Sequence, residues 1–182
     1  MIRPWTLLSS EMAFDHRFYK LRRDTVRLPN GRVVDDYLVS QRPSVAITVP
    51  LTAENNVILV RQYKHGVQAI TLEFPAGTFR SESPATAAAR ELEEETGYSP
   101  SNMIDLGTYF DDSSKNSNLV HFFLASGCVL TGKQRLDELE EASGVEVVIM
   151  SLQEVIKALE DGEIKSMSSV AAAYKALRAI GA

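Results

Sequence analysis

Between residues 90 and 98 the chain reads Arg-Glu-Leu-Glu-Glu-Glu-Thr-Gly-Tyr. On a helix Glu91, Glu94 and Glu95 stand at i, i+3 and i+4, so their carboxylates converge on one face. Like charges at these spacings repel by roughly 0.2–0.5 kcal/mol per pair, and acids in a last turn also oppose the helix dipole. Arg90 cannot neutralise all three. A divalent cation would, and hard oxygen ligands with no cysteine or histidine nearby favour magnesium or manganese over zinc. The competing reading is a solvated acidic face, because glutamate is a strong helix former. Pro75-Ala76-Gly77 reads as a loop ahead of this helix, whose backbone carbonyls and amides can complete a metal or phosphate site.

The elements that would hold these groups follow from local signals. Ser83 is an N-cap, Pro84 fits the first helical position, Ala85 to Thr96 are good helix formers and Gly97 supplies the stop. Ala85, Ala88, Ala89 and Leu92 form the packing stripe expected beside the charged face. Residues 25–28, the turn Pro29-Asn30-Gly31 and residues 32–39 give a hairpin signal. Further strands are expected over 45–51, 57–62, 71–74, 104–110, 119–125 and 145–150, and two closing helices over 152–160 and 168–180. Strands with one helix among them and two after predict an α/β (α+β) architecture, a mixed sheet covered by helices.

Composition narrows the function classes. The 182 residues are 45% hydrophobic and 24% charged, as in an ordinary globular domain. The longest nearly pure apolar run, Val45 to Leu51, falls far short of the roughly 20 residues of a membrane span. Residues 1–5 lead into no apolar signal segment, so a cytoplasmic protein is expected. Cys128 is the only cysteine, which excludes an intrachain disulfide and a thiolate zinc site. The net charge of −5 speaks against a nucleic-acid surface, although residues 1–40 carry seven basic and five acidic side chains.

Arg90 to Tyr98, with Glu82 eight positions ahead of Arg90, resembles the box of the Nudix hydrolases. The first half departs from that pattern: only four residues separate Gly77 from Glu82, and Ala76 occupies the glycine's formal position. The residues 60–64 (Val-Arg-Gln-Tyr-Lys), 73–77 (Glu-Phe-Pro-Ala-Gly), the hairpin at 28–31 and the closing helix pair are similar to the ADP-ribose and ADP-sugar pyrophosphatase branch. Arginine is usual there at Lys64, and a proline usual in the loop after the box is absent from 111–118.

The resemblance implies a Nudix-like α/β/α sandwich over 41–182 and an N-terminal β-hairpin segment over 1–40 that takes part in a homodimer. It implies magnesium-dependent hydrolysis of a nucleoside diphosphate linked to another moiety, ADP-ribose or an ADP-sugar. GDP-mannose, dinucleotides and a Nudix-like sensor without turnover are the alternatives. Metal ligands would be Glu91, Glu94, Glu95, the Ala76 carbonyl and Glu82, with Arg90 orienting carboxylates. The general base would lie in the acidic loop 137–144, Glu140 ahead of Glu141. Arg61, Lys64, Glu73 and Gly77 are expected at the substrate. Trp5, Phe14, Phe18 and Tyr19 could stack on a base, with packing or dimer contact as the plainer role. No partner in nucleic acid or membrane is expected.

Overall fold

Residues 45–49 have no polar face, so a strand there must be covered on both sides. The computed structural model describes residues 1–17 and 19–182, and Phe18 lies outside the described residues. By contact density the chain forms two units, Met1–Pro43 with Phe110–Leu119, and Ser44–Tyr109 with Val120–Ala182.

The first unit is an antiparallel sheet of β1 (Thr6–His16), β2 (Tyr19–Arg27) and β3 (Val33–Gln41), in that order. The expected hairpin is β2–β3, and β1 is a third strand that the sequence reading did not delimit. All of β1 is exposed. The 110–119 segment is strapped to β3: the Ser40 amide donates to the Lys115 carbonyl at 2.7 Å and the Ser117 amide donates to the Ser40 carbonyl at 3.0 Å.

In the second unit lie β4 (Ser44–Thr52), β5 (Asn56–Lys64), β6 (Ala69–Glu73), β7 (Ala76–Phe79), α1 (Pro84–Thr96), β8 (Tyr98–Ser99), β9 (Asn102–Phe110) and β10 (Leu119–Leu130). After these come α2 (Glu138–Ser143), β11 (Val145–Ser151), α3 (Leu152–Glu160) and α4 (Met167–Ile180). The eight strands form a mixed sheet, β11-β5-β4-β10-β8, with β6 on β5, β7 on β4 and β9 on β10. The β4–β10 pair is parallel, and β8–β10, β5–β11, β4–β5, β4–β7 and β5–β6 are antiparallel.

Period-2 alternation divides the central strands between two cores. Ile47, Val49, Val57, Leu59, Phe122 and Leu124 pack with Val155, Ala158, Ala172 and Ala173 of α3 and α4. Their in-between neighbours Ala46, Ile58, Phe123 and Ala125 pack with Ala87, Ala88 and Leu92 of α1. Thr48, fully buried on the α1 side, donates its hydroxyl to the Ala88 carbonyl at 3.0 Å.

Three expectations need correction. Ala76 and Gly77 are not loop but the start of β7, paired with Ile47 and Ala46. The 137–144 segment is not loop throughout: Asp137 and Glu140 form a reciprocal capping box that nucleates α2. The packing stripe of α1 is Ala87, Ala88, Leu92 and Thr96, while Ala85 is exposed. That phase also changes the charged face, because the row Ala87–Glu91–Glu95 turns toward the sheet.

Candidate active site

Helix α1 begins where expected. The Ser83 hydroxyl accepts from the Thr86 amide and Pro84 opens the first turn. It ends at Gly97, whose φ of 77° and clearance leave no room for a side chain: a Cβ would lie 2.5 Å from the Gly132 carbonyl oxygen. The last carbonyls of the helix, which have no intrahelical donor, are taken up by the strand-to-helix connection after β10. Thr131 and Gly132 amides donate to the Gly97 carbonyl, and the Arg135 amide donates to that of Glu94 at 2.7 Å. The Gln134 amide group donates to the Glu95 carbonyl at 2.7 Å and to the Val145 carbonyl at 3.0 Å. One side chain thus ties the C-terminal turn of α1 to the start of β11. Sequence reasoning missed Gln134, since a lone glutamine carries no signature of its own.

Glu95 is the most buried of the acids, 3% exposed, and accepts a hydrogen bond from the Ala76 amide at 3.1 Å. Burial pushes its carboxyl up to about 8, against that hydrogen bond and with the nearby charges of Glu140 and Glu91 adding to the rise. Burial also raises Glu91, opposed by Arg90. The Glu91 carboxylate lies flat over Gly77, where a Cβ would come within 1.9 Å of its carboxyl carbon. Gly77 is therefore the clearance that lets a glutamate rest on the strand.

Arg90 holds the remaining acids. Its guanidinium contacts Glu82 at 2.7 Å, Glu91 at 2.8 Å and Glu94 at 2.7 Å. These contacts, Glu82 first, hold the guanidinium above its ordinary value against the opposing effect of burial. The shortened 77–82 connection thus still delivers Glu82 to Arg90.

The other expected residues fall into three places. Glu140 is half-buried on α2, one oxygen accepting from the Asp137 amide at 3.0 Å, and its charge is felt at both Glu91 and Glu95. Glu141 is exposed. Lys64 on β5 lies 3.9 Å from Glu73 and its charge acts favourably on Glu95, while Arg61 pairs with Glu146 at 3.1 Å. Trp5 belongs to the N-terminal unit, edge-on to Tyr37 with ring centroids 5.5 Å apart.

Whether a divalent cation fits is decided by donor chemistry and charge. All the side chains involved offer hard oxygen, and one guanidinium is spread over Glu82, Glu91 and Glu94, leaving the buried Glu95 without an ion-pair partner among the described residues. Among the described residues no three acids, histidines or cysteines already close on one point. Arg90 draws Glu91 and Glu94 to itself, so these two would have to turn from it to bind an ion. The donor set fits magnesium or manganese.

The NUDIX domain profile matches residues 41–170, and the nucleoside diphosphate sugar hydrolase N-terminal domain profile matches residues 5–40. The chain belongs to the Nudix family. Among relatives of this Nudix chain, the methanol dehydrogenase activator of Bacillus methanolicus is 31% identical over 166 residues, 91% of this chain and 88% of that protein. The ADP-ribose pyrophosphatase of Bacillus subtilis is 30% identical over 158 residues, 86% of this chain and 84% of that protein. A crystal structure of an ADP compounds hydrolase superposes with a TM-score of 0.84 at 23% identity, covering 100% of this chain and 98% of that one, which establishes the Nudix fold.

Proposed function

We propose that this Nudix hydrolase cleaves the pyrophosphate bond of a nucleoside diphosphate linked to a sugar, converting ADP-ribose to AMP and ribose 5-phosphate or acting likewise on a related ADP-sugar. The observation that carries the reading is Glu95: a buried carboxylate on a backbone amide, beside Glu91 and Glu140, with no cation of the chain paired to it among the described residues. The ADP-ribose pyrophosphatase relatives support the substrate class.

Glu91, Glu94 and Glu95, with the Ala76 carbonyl and Glu82 as further donors, would hold magnesium or manganese. Such an ion neutralises pyrophosphate charge and lowers the pKa of bound water. Arg90 orients Glu91 and Glu94 and releases them as the site fills. Glu140 takes the proton of the attacking water, a role its half-buried position beside Glu91 and Glu95 suits better than the exposed Glu141. The water oxygen bonds to one phosphorus, the bridging P–O bond breaks, and two phosphate monoesters leave. Lys64 and Arg61 steady the phosphates at the β5 edge, with Glu73 and Gly77 beside them.

Product analysis with magnesium over ADP-ribose, ADP-glucose, GDP-mannose and NADH tests the reading. AMP and ribose 5-phosphate from ADP-ribose, abolished by chelator with the fold intact, is the expected result. Turnover in excess chelator would overturn it.

The N-terminal sheet is assigned to a homodimer, since Leu7, Met12 and Phe14 are each about half exposed on β1. A monomeric mass by light scattering at micromolar concentration would refute this. A cytoplasmic site of action belongs to the same reading and agrees with the unpaired, buried Cys128.

A further inference from the structure

The β5–β6 hairpin and the α3–α4 connection, both within the second unit, enclose an open basin of about 970 Å³. Its lining includes Lys64, whose charge acts on Glu95, and Glu73, 3.9 Å from Lys64. Glu163 and Lys165 of the α3–α4 connection and Ile70 and Thr71 of the hairpin line it as well.

The lining is informative about what it could take. Among the described residues its only lining ring is the imidazole of His65, which already leans on Tyr63 with ring centroids 6.1 Å apart, so a nucleobase finds no indole, phenol or phenyl face there. Charges of both signs are present. A second phosphate would meet Glu73 and Glu163 as well as the lysines, whereas neutral hydroxyls can accept from ammonium groups and donate to carboxylates. Lys165 has no carboxylate partner within 4 Å among the described residues, and Glu163 likewise has no ion pair there, so both are available to a ligand. The exposed aliphatic Ile70 offers an apolar surface for the ring face of a sugar.

We infer that this basin receives the sugar half of the substrate, with Glu163 and Lys165 reading its hydroxyls as specificity-determining residues. The inference rests on the pyrophosphatase reading above and adds where the non-nucleotide half lies.

The test compares ADP-ribose with the methyl ester of ADP, which keeps nucleoside and pyrophosphate but lacks the sugar. Both are assayed with magnesium on the full chain and on Glu163→Ala and Lys165→Ala, exposed positions where substitution should leave the fold intact. Each variant should lower kcat/KM for ADP-ribose about tenfold more than for the methyl ester, chiefly through KM. Equal effects on the two compounds, or none on either, would overturn the inference. Calorimetric binding of the same two ligands to chelator-treated protein asks the question without turnover. Loss of discrimination there supports the basin even if hydrolysis fails, and unchanged discrimination overturns it even if hydrolysis succeeds.

Discussion

Replacing Glu95 by glutamine isolates the feature on which the proposed chemistry depends. The amide oxygen can still accept from the Ala76 amide, so the geometry is kept while the ionisable group is lost. In the metal-free chain the Glu95 carboxyl is pushed up to about 8 from the 4.5 of an ordinary glutamate. The folded state therefore binds the proton more tightly than the unfolded state. The corresponding stability is fully present below pH 4.5 and is lost as pH rises through 8. Glu95 is 3% exposed, so solvent screening removes little of the effect.

At about 1.36 kcal/mol per pH unit, wild type should lose roughly 3 kcal/mol between pH 5 and pH 8 through this residue alone. Glu95→Gln has no such loss. Urea unfolding of both proteins in chelator at the two pH values measures the gap between them, in which contributions from distant groups cancel. The variant should match wild type near pH 5 and exceed it at pH 8 by about 3 kcal/mol, on the order of 10 °C in Tm for a chain of this size. Magnesium at a hundred times its Kd should return about 2.7 kcal/mol to wild type at pH 8, and less to the variant. Activity should fall by about a hundredfold or more in Glu95→Gln, because a neutral amide is a poor ligand for a hard cation. A stability gap that stays constant within about 1 kcal/mol from pH 5 to pH 8 would refute the burial argument.

Gly77→Ala should displace the Glu91 carboxylate now lying 1.9 Å from the new Cβ position and cut kcat by about tenfold or more while Tm changes by only a few degrees, since a side-chain terminus can move aside. Wild-type rates in that variant would separate Glu91 from the chemistry. Gln134→Met removes both donors to the Glu95 and Val145 carbonyls, and should destabilise by roughly 1–3 kcal/mol and lower kcat with little change in KM. Equal proportional change in KM would show that the tie does not position the catalytic carboxylates. Cys128, buried and pushed up to about 11, should resist thiol reagents at pH 8 in the native state and react once unfolded, as a colorimetric thiol assay will show.

What the sequence disclosed and what it hid divide along a physical line. Helix α1 was readable to the residue at both ends, because Ser83, Pro84 and Gly97 each act locally. The central strands were readable too, since an apolar run of β-branched residues does not depend on its neighbours to signal burial. Strand β7 was hidden because Pro75 and Gly77 read as loop residues and leave only Thr78 and Phe79 as β formers, so the strand is held by pairing to β4. Helix α2 was hidden by its length: six residues give no period to detect, although Asp137 and Glu140 stand at capping-box spacing. At the site, residue identities pointed to the carboxylates, but not to which of them is buried. That depends on the rotation of α1 about its axis, which Ala87 and Ala88 decide by packing under Phe123.

The rotation has a consequence for how one helix serves two purposes. Had all three glutamates faced solvent, each would be easily hydrated, and a cation would have to displace that water for a modest gain. With Glu95 turned inward and Glu94 left on the Arg90 side, the row divides into one buried acid without an ion pair among the described residues and two that are paired to Arg90. Binding a divalent ion would exchange a proton for the metal at Glu95 and a guanidinium for it at Glu91 and Glu94. Metal affinity should therefore rise with pH up to about 8, the range in which Glu95 loses its proton in the metal-free chain. Calorimetric titration with magnesium at pH 6 and pH 8 in buffers of different ionisation enthalpy measures both the affinity and the protons released. Close to one proton should leave at pH 6 and about half a proton at pH 8. No release at pH 6 would mean that Glu95 is already charged there, and that the inward turn of the helix does not create the site's demand for a cation.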